Sequence, residues 1–140
     1  SRAYVTIDTN GSIRDEEWWW NLGILGGKRL RVTFAVDGLD QKMHSHYRRN
    51  TNLSKVLDNM EALSNTMASI YTRTIVFKHN EKYLEQIHNM VKDHGASRSW
   101  FTPSDRWYKD SGGPFVFNFT DADGKEQKFE KSEIVNEYQM

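Results

Sequence analysis

Strand-period and helix-period segments alternate along most of this chain, and that alternation limits the available folds more than any other feature of the sequence. "YVTID" (4–8) reads as a strand, and "SIRDEEWWWNLG" (12–23) follows as a helix, with Ser12 at its N-cap and acidic residues in its first turn. Gly26-Gly27 stops it. "LRVTFAVDG" (30–38) sets Val32, Phe34 and Val36 on one face and Arg31, Thr33, Ala35 and Asp37 on the other. Leu39 to Asn50 is polar and irregular. A helix then begins near Asn52, with Leu53, Val56, Leu57, Met60 and Leu63 at helical spacing.

"SIYTRTIVFK" (69–78) is a third strand and "EKYLEQIHNMVKDHG" (81–95) a third helix, buried along Leu84, Ile87 and Val91 and ended by Gly95. "ASRSWFTP" (96–103) is a fourth strand, stopped by Pro103. Beyond the loop "SDRWYKDSGGP" (104–114) the texture changes. "FVFNF", the turn "TDADGK" and "EQKFE" read as a β-hairpin, and the end as a polar tail.

Strands alternating with helices are the mark of right-handed βαβ units and a parallel sheet. The expected fold is α/β: an incomplete, (β/α) barrel-like parallel sheet of about four strands with three helices, plus a C-terminal β-hairpin. A chain of 140 residues is short of the roughly 200 or more that a closed eight-stranded barrel needs. One compact domain is expected, with residues 1–110 carrying the α/β part and 111–140 a hairpin and tail packed on it. Its open edges need covering by the hairpin, by a second copy (a homodimer) or by a complementing protein chain.

Nineteen basic and nineteen acidic residues leave no net charge to favour nucleic acid or anionic lipid as partners. No apolar run approaches the roughly 18 residues of a membrane span, and the N-terminus carries no secretory pattern, so a cytoplasmic location is expected. The chain has no cysteine, which excludes disulfides, thiolate nucleophiles and Cys-held zinc or iron–sulfur clusters within it.

Sidedness gathers polar groups at the C-terminal ends of the strands. Thr33, Asp37, Thr74 and Lys78 are placed opposite the faces that pack on helices. Asp8, Asn10, Asp37, Lys78 and Asn80 could line a small-molecule pocket, and Arg48 and Arg49 could clamp a phosphate or carboxylate. The same residues fit ordinary turn chemistry and a solvated loop. His44-Ser-His46 is expected in such a loop rather than on a metal, His88 as a packing residue, and His94 at a helix C-terminus. Of Trp18, Trp19 and Trp20, one or two belong to the core; the remainder, with Trp100, Phe101, Trp107 and Tyr108, could form an aromatic patch. Asp121 and Asp123 with Gly124 lack the spacing of a calcium loop. No catalytic residues and no metal ligands are assigned.

In order and spacing, "TIDTNGS…EEWW…LG", "LRVTFAVDGLD", "HYRRNTNLSKVLDNMEAL", "IVFKHNEKYLEQIHNMVKDHG" and "FTPSDRWY" resemble the middle of radical S-adenosylmethionine (radical SAM) proteins over residues 4 to about 108. The resemblance implies the third to sixth strands of a partial barrel. It matches Thr9-Asn10-Gly11, Asp37-Gly38, Lys78 and Asn80 to strand ends. Ala35 stands where the family often has a polar residue against the cofactor ribose. The family's three cluster-binding cysteines and first two strands have no counterpart here. No cofactor is therefore expected in this chain alone, with S-adenosylmethionine only a weak or vestigial ligand, and the expected function is a catalytically incomplete ligand-binding or interaction module. Two alternatives stand beside it: half of a split enzyme completed by a cysteine-bearing partner, and a small-molecule or phosphate-binding module.

Overall fold

A computed structural model describes residues 3–104, 116–121, 123–134 and 136–140. In chain order the elements are β1 (Val5–Thr9), α1 (Glu16–Gly26), β2 (Leu30–Ala35), α2 (Gln41–Tyr47), α3 (Leu53–Ser64), β3 (Ser69–Val76), α4 (Leu84–Asp93), β4 (Arg98–Pro103), β5 (Val116–Thr120), β6 (Glu126–Glu130) and β7 (Tyr138–Gln139). The main sheet runs β1-β2-β3-β4-β7, parallel except for its last pair. No barrel closure is seen among the described residues, and β1 pairs only with β2. No helix among the described residues is long and apolar enough to cross a membrane.

Alternation along β2 produces the layering. Leu30, Val32 and Phe34 are buried under the helices, where they join Trp19, Val56, Met60, Leu63, Ile70 and Ile87. Each such side chain contributes about 1.5–3 kcal/mol on leaving water, so the helix-covered face holds most of the burial. Trp19 alone of the three consecutive tryptophans enters this core, tilted against Phe34 at 5.1 Å.

The structure departs from the sequence reading at several points. The N-cap of α1 is Asp15, which accepts from Trp18 N, whereas Ser12 Oγ accepts from Asn52 N. Arg14 in left-handed geometry (φ 78°) delays the helix start by three residues. The polar stretch after Leu39 contains a fourth helix, α2, capped by Asp40 accepting from Met43 N. The polar tail supplies β7, which shields the β4 edge through Trp100–Gln139 and Phe101–Tyr138. The hairpin β5–β6 forms its own sheet and docks through Phe77 and Phe129, stacked at 5.0 Å, and through Lys78 N donating to Glu130 O. Residues 105–115, with Trp107 and Tyr108, lie outside the described residues.

Thr74, which sidedness in the sequence sets on the open face, sits on the covered one. In β3 that face reads Ile70, Thr72, Thr74, Val76, and Thr74 Oγ1 meets its burial by donating to Val36 O at 2.6 Å. A threonine can join an apolar row when its hydroxyl reaches a carbonyl.

The loop after β1 is pinned from below. Gly11 takes φ 71°, and a Cβ there would run into the Phe34 ring and Val56. Buried Asn59 of α3 donates from Nδ2 to Gly11 O (2.8 Å) and Arg14 O (3.2 Å). Asn59→Ala removes both donors from carbonyls next to the core and is expected to lower stability by about 1–3 kcal/mol. The check is a urea titration, read as a lower midpoint at unchanged slope.

Candidate functional site

At the C-terminal ends of the first three strands, on the face away from the helices, a recess of about 370 Å³ is lined by Asp8, Thr9, Asn10, Thr33, Ala35, Arg48 and Arg73. Three of the residues expected from sequence converge there: Asp8, Asn10 and Arg48. Register explains the assembly. Asp8 pairs with Thr33 and Ala35 with Arg73, so each pair projects to the same side.

Arg48 is held by a closed ring of hydrogen bonds. Its Nε donates to Asp37 Oδ2 at 2.6 Å, and the Asp37 side chain is wholly buried. Asp37 N donates to His44 Nδ1 at 3.1 Å, so the imidazole proton sits on Nε2, which donates to Thr51 Oγ1 at 2.9 Å. Thr51 Oγ1 in turn donates to Arg48 O at 2.8 Å. The second Asp37 oxygen accepts from Ile75 N at 2.6 Å. The loop is short because Gly38 lets the α2 backbone at His44 come within reach; a Cβ there would collide with it.

Electrostatics follow this geometry. Burial pushes the Asp37 carboxyl above its ordinary value, while Arg48 and the Ile75 N–H pull it back. His44 is lowered from 6.5 to about 4 by burial and then by the Arg48 charge. A histidine expected in a solvated loop is thus a neutral, fully buried strut.

The remaining sequence candidates do not reach the recess. Asn80 is buried behind Asp37: its Nδ2 donates to Asp37 O and Ile75 O, and its Oδ1 accepts from Phe77 N. Arg49 lies over the Phe119 ring at 4.5 Å, facing the hairpin. Lys78 is exposed beside β6, to which its backbone is bonded. The His46 and His79 rings lie tilted against each other at 4.4 Å, with the His46 Nε2 bonded to Lys128 O. His79 is lowered to about 4 by burial and then by His46. Ring nitrogens of His88 and His94 meet Ser99 Oγ and Met90 O, as expected of packing and cap residues. Asp121 accepts from Asp123 N and Lys125 N in the hairpin turn. No cluster of three or more metal-ligating side chains occurs among the described residues.

Sequence reasoning missed Arg73. It also missed what surrounds it: Arg31 and Arg98 project from the same open face, each within 6 Å of the Tyr71 ring at 5.0 and 5.8 Å. Period-two reading of "YTRTIV" carries the signal, since Arg73 alternates with buried Thr72 and Thr74. The open face is therefore basic in a chain without net charge. A larger recess on the helix side, lined by Glu16, Glu17, Trp20, Glu61 and Lys92, lies away from the strand ends where α/β folds place their sites.

Fold and site together define an open-faced α/β domain with an arginine-bearing recess at its strand ends. Compared with family models, characterised proteins and solved structures, the chain matches none.

Acidification tests the buried imidazoles. The folded-state values lie below the unfolded one, so between pH 6.5 and about 4 the unfolded chain takes up protons that the folded chain refuses. Stability falls across that window; the His44 share is about 3 kcal/mol at about 1.4 kcal/mol per unit. The raised Asp37 acts in the opposite sense, which makes a variant comparison necessary. Urea midpoints across the window are expected to fall less steeply in His44→Gln than in the parent.

Proposed function

We propose that this chain is a ligand-binding module on a radical SAM-like partial barrel, holding a small anionic metabolite at the Arg48–Arg73 recess. The observation that carries the reading is the ring fixing Arg48. A guanidinium spends its Nε on a buried carboxylate while its side chain, 29% exposed, still lines the recess. Arginine presents donors in a planar fork suited to carboxylate or phosphate, and a pre-positioned fork loses little freedom on binding. Arg73 adds a second cation. Asp8, on the same wall, suits an ammonium or hydroxyl, so an amino-acid-like zwitterion satisfies both signs.

S-adenosylmethionine, the ligand implied by the sequence resemblance, carries such a group. The iron–sulfur chemistry of that family does not fit these residues. The chain offers no thiolate, and no step through a cluster is derived. Any radical reaction needs thiolates from outside these 140 residues.

The test is calorimetric titration and thermal denaturation with S-adenosylmethionine and with inorganic phosphate. At least one is expected to bind saturably and raise the unfolding midpoint. Arg73→Ala, at an exposed side chain, is expected to lose at least about tenfold in affinity with an unchanged ligand-free midpoint, as removal of a charge-assisted contact requires. Absence of binding by both probes, or equal binding by the variant, overturns the reading.

A further inference from the structure

The aromatic residues of β4 divide between the two faces of the sheet. Phe101 is buried on the helix side, stacked on Tyr138 at 5.1 Å, whereas Trp100 stands half-buried on the open face. There the registers place Ala35, Arg73, Trp100 and Gln139 in one row across β2, β3, β4 and β7. Directly opposed residues hold their Cβ atoms about 5 Å apart, so Trp100 adjoins the arginine of the recess. The neighbouring row is Asp8, Thr33, Tyr71 and Arg98.

The side chains of these rows are used unequally. Tyr71 is occupied, with the guanidiniums of Arg31 and Arg98 over its ring. Among the described residues, the side chains of Asp8, Arg73 and Trp100 have no hydrogen bond, ion pair or ring contact. A tryptophan beside an arginine offers its ring face to the cation. Arg73 does not take it and lines the recess instead. An acid, a cation and an indole are left unanswered on one face, in that order from β1 to β4.

We propose that the Arg48–Arg73 recess binds a free aromatic amino acid, with its carboxylate on the two guanidiniums, its ammonium at Asp8 and its ring on the indole of Trp100. This rests on the ligand reading above and names the substrate class. The order of the three protein groups sets the order of the ligand's: a carboxylate held at Arg73 directs the ammonium toward β1 and the ring toward β4. Beside Arg73 the face is low, because Ala35 carries only a methyl group. One strand spacing, about 4.8 Å, separates Arg73 from Trp100, and a methylene linker between head group and ring spans it. Offset stacking on the indole then stabilises the ring beyond the area it buries. The assignment is the same for an open or an enclosed face, since all four side chains belong to the strands and to the loop after α2.

Calorimetric titration with L-phenylalanine, L-alanine and hydrocinnamate is the test. L-Phenylalanine is expected to bind at least about tenfold more tightly than L-alanine, as removal of a phenyl group from water requires. It is also expected to bind several-fold more tightly than hydrocinnamate, which lacks the ammonium, and Asp8→Asn to erase that difference. Trp100→Ala, with the parent's circular dichroism spectrum, is expected to lose the preference over L-alanine, and Trp100→Phe to keep most of it. A readout in the parent chain is the indole N–H resonance of Trp100, identified by its loss in Trp100→Phe. It is expected to shift with L-phenylalanine and to stay in place with L-alanine. Equal affinity for the two amino acids, an unmoved Trp100 resonance at saturation, or tighter binding of a nucleoside monophosphate overturns the proposal. If inorganic phosphate binds in an Arg73-dependent manner and L-phenylalanine does not bind, the ligand reading stands and the aromatic amino acid fails. If L-phenylalanine binds with the same affinity in Arg73→Ala, both fail.

Discussion

Asp37 and Arg48 form the contact on which the site side of this domain depends. A carboxylate with no solvent exposure is tolerable only if its charge and both oxygens are answered, and here Arg48 Nε and Ile75 N answer them. The answer recruits neighbours. Asp37 N fixes the tautomer of His44, His44 fixes Thr51, and Thr51 holds the Arg48 carbonyl. Helix α2, only seven residues long and too short to be stable on propensity, is thereby fastened at its C-terminal end to the tip of β2. Asn80 ties the same aspartate's carbonyl to the end of β3. Two strand ends, one short helix and one loop become a single unit, whose outward product is an oriented guanidinium.

The parts of the fold that were legible in sequence are those whose pattern is long and periodic. The strands from Tyr4 to Pro103 and the helix capped by Asn52 follow directly from alternation and spacing. Helix α2 was not legible because QKMHSHY has no apolar row; Asp40 and the buried ring hold it. The pairing of Tyr138–Gln139 was invisible for a related reason, since a two-residue strand carries no period and owes its existence to a free edge on β4.

The site was legible in part. Asp8, Asn10 and Arg48 reach one recess because strand ends and the loop after α2 converge. Asp37 and Asn80 have the right position and the wrong depth: side-chain polarity shows that a residue needs partners, and only the fold shows whether those partners are ligand or backbone. Arg73 escaped attention because threonines flank it on both sides, which hides the alternation that would have separated the covered face from the open one.

The open face itself argues about closure. Arg31, Arg73 and Arg98 are exposed there, with Asp8 as a nearby acid. Covering three guanidiniums with apolar residues would cost several kcal/mol for each unpaired charge, so a dry barrel interior is not the natural state of this face. Water or an anion must remain against it, and any cover that excludes water must bring negative groups of its own. The apolar demand of the molecule is met on the helix side, and its charge remains where a ligand can meet it.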